Sequence, residues 1–149
     1  MKLELDYSNA VNLDAEDLAE QGIAKAYQAV LAALSPYVAH PAVVKEIIDD
    51  EAPSYVVRCA DSEYVIYSPT LPDDEGQSWG RATHALFKII NDQLSESDYK
   101  LYAINGGNDL MGLLLTDSEC EAARRSLGHK EDWPYIPTLE HPWYGQNHA

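Results

Sequence analysis

The chain is short of cations, of cysteine and of long apolar runs, and each shortage excludes something. Only 10 Lys and Arg stand against 25 Asp and Glu in 149 residues, a formal charge of −15 at pH 7. A field of that sign repels phosphate backbones and anionic bilayers, so neither nucleic acid nor a membrane is an expected partner. It suits a basic protein partner, and it also serves plain solubility. The cysteines are Cys59 and Cys120 alone. They are too few and too far apart in sequence for a disulfide framework or a zinc knuckle, so both are expected as reduced, buried thiols. No apolar run approaches the roughly 18 residues of a membrane helix. The start, Met1-Lys2-Leu3-Glu4-Leu5-Asp6, alternates and carries acids. A signal peptide has a basic start and an apolar block, so the expected location is cytoplasmic.

Signatures of chemistry are missing too. There is no G-x-S-x-G elbow for a serine nucleophile. His40, His84, His129, His141 and His148 show no His-x-x-x-His or Cys/His spacing, so no zinc and no cofactor is expected. Nothing local pairs Cys59 or Cys120 with a histidine. Internal repeats and low-complexity segments are absent, and no catalytic residue is assigned.

What remains is a globular chain, 46% apolar, of the length of one domain. Leu3, Leu5 and Tyr7 alternate with polar residues, the period of a short strand. From Asp14, a fitting cap, Ile23, Tyr27, Val30, Leu31 and Leu34 fall on one helical face, and Ser35-Pro36 stops the helix. Gly22 lies inside it. Val43, Val44, Ile47 and Ile48 predict a second, shorter helix from Pro41 to about Asp50, although Asp49-Asp50-Glu51 sits unfavourably at its C-terminal end. Tyr55–Ala60 and Glu63–Ser68 read as a hairpin around Asp61-Ser62, with Tyr55, Val57 and Cys59 on one face. A loop from Pro69 to Gly76 follows.

The best-defined helix is expected from a Ser78 cap to about Leu94. Trp79, Ala82, Leu86, Ile89 and Ile90 gather on its inner side, and Arg81, His84, Lys88 and Asp92 on the other. A second hairpin then pairs Tyr99–Ile104 with Leu110–Leu115 across Asn105-Gly106-Gly107-Asn108-Asp109. The second of these strands is apolar on both faces, which marks it as central, and Gly112 in it suits a close backbone approach. Thr116-Asp117-Ser118-Glu119 is a capping box, and Gly128 suits the C′ end of the helix it opens. Cys120, Ala123 and Leu127 face inward on that helix.

These elements predict an α+β fold: an antiparallel four- or five-stranded sheet built from hairpins and covered by three or four helices. Residues 1–128 form the domain. Residues 129–149 form a Pro/Trp-rich, irregular aromatic arm, packed on the same domain or on a second copy, as a homodimer through the arm. The element order loosely resembles that of small acidic secretion chaperones and, as loosely, that of acidic immunity proteins that neutralise toxins. No motif carries either resemblance. What they imply is a non-enzymatic protein-interaction module that binds a protein partner, here one with a basic surface. The alternative is a small-ligand-binding protein or enzyme with a pocket near Trp79, Arg81 and the Asn105–Asp109 loop. Under these readings the candidate binding residues are Trp79, Arg81, His84, Asn108, Asp109, Trp133 and Trp143. The glycine loop is first a tight reversal. It lacks the helix start of a phosphate loop and the carboxylates of a calcium loop.

Overall fold

The structure, a computed structural model, describes residues 10–70, 75–128 and 133–139. In chain order the elements are β1 (Val11–Asn12), α1 (Ala15–Asp17), a π-type turn (Leu18–Gly22), α2 (Ile23–Leu34), β2 (Val44–Asp49), β3 (Ser54–Cys59) and β4 (Ser62–Tyr67). Then come α3 (Glu75–Gln93), β5 (Tyr99–Ile104), a 3-10 turn (Gly107–Asp109), β6 (Met111–Thr116) and α4 (Asp117–Ser126). The expected strand at Leu3–Tyr7 lies outside the described residues. No helix among them is long and apolar enough to cross a membrane.

The fold is α+β, but the expected single sheet is two three-stranded antiparallel sheets, ordered β1-β6-β5 and β2-β3-β4. Each hairpin recruits its own third strand, and α3 packs against β4 of one sheet and β5 of the other. The burial of α3 shows why. Beside Ala82, Leu86, Ile89 and Ile90, its Thr83, Ala85 and Phe87 are also buried. A helix that is apolar on more than one side must be covered on more than one side. Residues of both sheets meet in one core, with Tyr27, Tyr55, Ile66, Phe87, Leu101 and Leu110 in it. As expected, β6 is central in its sheet. A Cβ on Gly112 would meet Leu13 Cδ1 and Leu101 Cδ1 at 3.2 Å, so the glycine does mark a close approach.

The stretch read as a helix from Pro41 to Asp50 is instead strand β2, hydrogen-bonded along its length to β3 from Val44↔Cys59 to Asp49↔Ser54. Its three apolar residues, Val44, Ile47 and Ile48, are all β-branched, which favours a pleated strand, and an apolar run this short fits either period. The acids that sat badly at a helix end form a turn: Asp49 Oδ1 accepts the N–H groups of Glu51 at 3.0 Å and Ala52 at 3.2 Å.

The helix expected from Asp14 to Leu34 is broken. Asp14 caps α1, accepting from the amides of Glu16 at 3.0 Å and Asp17 at 3.4 Å. Glu20 and Gln21 then leave helical geometry, Gln21 with φ of 70°. The break folds the backbone so tightly that a Cβ on Gly22 would lie 2.3 Å from the Asp17 carbonyl oxygen. The new helix start is served from the sheet. Tyr55 Oη accepts the Ile23 N–H at 3.1 Å and donates its own proton to Glu46 Oε2.

Two smaller expectations change. Helix α3 starts at Glu75, so Ser78 is a buried residue of the first turn and not the cap. At the end of α4, Leu127 turns extended with φ −88° and ψ 126°, and Gly128 follows without a left-handed φ. The capping box at Thr116 and Glu119 is present in both directions.

Candidate functional site

The glycine loop between β5 and β6 is built against the start of α1. Asn105 and Gly107 take left-handed φ values of 59° and 55°, which reverse the chain. The Leu110 carbonyl accepts the amide of Leu13 at 2.9 Å. Asn108 Nδ2 donates to Asp14 Oδ1 at 3.1 Å and Glu16 Oε1 at 3.3 Å. The carboxylate that caps α1 thereby also anchors the loop. Between loop and helix start lies an open cleft of about 450 Å³, walled by Asn12, Asp14, Asp17, Asn105, Asn108 and Asp109. Asp17 and Asp109 are both exposed lining residues. Carboxylates and carboxamides dominate the wall, so it offers hydrogen-bond acceptors to a cationic group.

Trp79 stands beside this loop. A Cβ on Gly107 would lie 3.8 Å from Trp79 Cζ3, so any side chain there would touch the indole. On its other flank Trp79 lines a cleft of about 410 Å³ with Gln21, Tyr67 and Ser78. The structure therefore brings Trp79, Asn108 and Asp109 into one neighbourhood. Arg81 is directed elsewhere: its Nε donates to the Ile66 carbonyl at 2.8 Å, pinning α3 to β4. His84 is half-buried and lines a separate cleft of about 230 Å³ with Lys88, Asp92, Lys100 and Pro137. Burial and the nearby Lys88 charge hold its pKa below the ordinary histidine value. Of the ladder expected on that face, Lys88 Nζ and Asp92 Oδ1 form the ion pair, at 2.9 Å.

Trp133 packs on α4, donating Nε1–H to the Leu127 carbonyl at 3.2 Å beneath the Arg124 guanidinium. The described part of the arm continues on the same chain. Pro134 O accepts Arg124 Nε at 3.1 Å, and Tyr135 exchanges backbone bonds of 2.7 and 3.0 Å with Ala103. Trp143 lies outside the described residues. The cleft residues that sequence reasoning misses are Asn12, Asp14 and Asp17. Asp14 is visible as a helix cap, but its closeness to Asn108 depends on β1 pairing with β6, which no local pattern announces.

Neither thiol is prepared as a nucleophile. Burial raises the pKa of Cys59, with the Asp92 charge adding to it, and burial raises that of Cys120. Among the described residues no group of three His, Cys, Asp or Glu is arranged to hold a metal. Compared with protein-family models, curated proteins and solved structures, the chain finds no match.

Proposed function

We propose that the chain is a non-enzymatic, cytoplasmic protein-interaction module of the immunity or chaperone kind. It presents the cleft beside the 105–110 loop to a basic segment of a protein partner. The observation that carries this reading is the cleft wall, where Asp14, Asp17 and Asp109 stand with Asn12, Asn105 and Asn108 around about 450 Å³ of open space. A lysine or arginine side chain entering it meets charge-assisted acceptors, and the −15 field of the chain steers a cationic surface toward it. Affinity capture with the immobilised full chain, beside a bait carrying Asp17→Lys and Asp109→Lys, tests the reading. A stoichiometric basic protein should hold to the native bait at low salt, leave at high salt, and be missing from the variant bait. If no protein separates the two baits, the reading fails.

A second reading, a small-ligand-binding protein or enzyme, is favoured by the position of Trp79 between Gly107 and the aromatic-walled cleft it shares with Tyr67. Its mark would be saturable binding of a small polar molecule that Trp79→Ala abolishes while the fold persists.

A further inference from the structure

The two sheets treat their edges differently. The free edge of β5 is sealed: Asn91 bonds both backbone groups of Leu101, and Tyr135 bonds both of Ala103. Strand β2 is also an edge, paired with β3 over six residues, and no described strand pairs with its other side. Its outward-facing residues continue rows across the sheet. Ile47, Val56 and Val65 are register neighbours, with Ile47 36% and Val65 37% exposed. The next row is Lys45, Arg58 and Glu63. Arg58 Nε is held by Glu63 Oε2 at 2.7 Å, so Lys45 stands beside a cation and has no ion-pair partner among the described residues. At the other end of β2, Asp49 uses Oδ1 in its turn.

Charged residues usually protect such an edge from other strands. Here symmetry makes the protection selective. Two copies joined antiparallel at β2 are related by a two-fold axis normal to the sheet. Opposed residues then share a face, so the axis falls on a residue and pairs odd with odd, even with even. An axis at Glu46 sets Glu46 against itself. An axis at Ile48 sets Glu46 against Asp50. An axis at Ile47 sets Ile47 on Ile47, Glu46 opposite Ile48, and Lys45 opposite Asp49 twice. Of these three registers, only the last opposes no like charges. It also joins the two Ile47–Val56–Val65 rows end to end.

We propose that the chain forms a two-fold dimer through the β2 edge, centred on Ile47, in which two three-stranded sheets become one of six strands. Charge complementarity selects a second copy as the occupant, because it satisfies the Lys45 that the sheet leaves beside Arg58. This surface is separate from the cleft assigned to a basic partner.

Sedimentation equilibrium of the full chain over a concentration series, at physiological ionic strength to screen the net charge, tests it. The native chain should show a monomer–dimer equilibrium. Lys45→Asp sets a carboxylate opposite the Asp49 of the second copy, and Asp49→Lys sets an ammonium opposite its Lys45. Each should weaken self-association about tenfold or more. Mixed together, the two variants should form a heterodimer, since both opposed pairs then place like charges in neither position: one is carboxylate against ammonium, and the other is the native Lys45 against the native Asp49. If Asp49→Lys does not fold without its turn bonds, Lys45→Asp and, separately, Ile47→Lys decide, and both should be monomeric with a native circular-dichroism spectrum. A native chain that stays monomeric, a dimer indifferent to these substitutions, or folded variants that fail to form the mixed dimer would each overturn the proposal.

Discussion

Asn91 and Leu101 exchange two hydrogen bonds: the Leu101 N–H donates to Asn91 Oδ1 at 2.7 Å, and Asn91 Nδ2 donates to the Leu101 carbonyl at 3.0 Å. A carboxamide offers the same donor and acceptor as a peptide unit, so at this point α3 stands in for a neighbouring strand. Leu101 is buried, and its backbone groups have no ready replacement in water. Asn91→Ala should therefore cost about 2–4 kcal/mol, the penalty of two orphaned groups. Asn91→Asp should also destabilise, since it keeps the acceptor and sets an oxygen against the Leu101 carbonyl. Urea unfolding reads both as a lower midpoint at unchanged slope.

Where local pattern and tertiary role agree, the fold was legible. The two hairpins, the capping box at Thr116, the central strand with Gly112 and the buried row Tyr55, Val57 and Cys59 all follow from period and turn chemistry. Legibility ended where a distant partner decides. Val43, Val44, Ile47 and Ile48 satisfy a helical spacing, and what makes the last three part of a strand is hydrogen bonding to β3. In the strand Ile47 and Ile48 take opposite faces, so the apparent inner helix face does not exist. The separation into two sheets was equally hidden, because β1 is a two-residue pairing with no signature of its own.

Gly22 and Gly112 both occupy tight places, but of different kinds. At Gly22 the obstacle is the Asp17 backbone oxygen, 2.3 Å from an added Cβ. At Gly112 it is the tips of leucine side chains at 3.2 Å, which can turn away. Gly112→Ala should cost about 1 kcal/mol and Gly22→Ala about 3 kcal/mol, the range of overpacking. Gly128→Ala meets no atom of the described residues within 4 Å and should be near neutral. Parallel urea melts of the three variants check this order; equal losses at Gly22 and Gly112 would refute it.

His84 gives stability a pH dependence of definite sign. Burial, then the Lys88 charge, lower its folded pKa below 6.5, against a smaller opposing effect of Asp92. The unfolded chain then binds a proton that the folded chain resists. This contribution is fully kept above about pH 6.5 and is lost as pH falls from there through the folded pKa. His84→Gln should flatten that part of the profile relative to the native chain. Unfolding free energies between pH 5 and 8 supply the comparison, and parallel profiles would rule the effect out.

The candidate site was legible in its loop and not in its wall. Asn108 and Asp109 stand out beside the glycines, and Trp79 reads as either an anchor or a cleft residue; it touches both roles, lying by Gly107 and lining open space. Helical period draws Arg81 and His84 to the same face, which is correct as geometry. Period does not say what a side chain meets, and Arg81 meets the Ile66 carbonyl. Asp14 and Asp17 come from the other end of the chain, and their carboxylates read first as helix-start acids.

Tyr135 couples the arm to that site. Its ring is buried, its backbone closes the β5 edge at Ala103, and its hydroxyl donates to the Asn105 carbonyl at 2.5 Å. Asn105 is where the loop enters its left-handed turn, so the phenol holds the first residue of the reversal. Tyr135→Phe removes the hydroxyl that bonds Asn105 while keeping the ring, and should cost about 1 kcal/mol. Tyr135→Ala also empties a buried volume and should cost about 3 kcal/mol or more. The informative quantity is where the loss falls. If the arm positions the loop, amide exchange in Tyr135→Phe should quicken at Asp109 and Leu110, whose N–H groups bond Gly106 and Gly107 carbonyls, and stay native along β3. Uniformly faster exchange would mean that Tyr135 serves the core in general, and the loop would then owe its shape to Asp14 and Asn108.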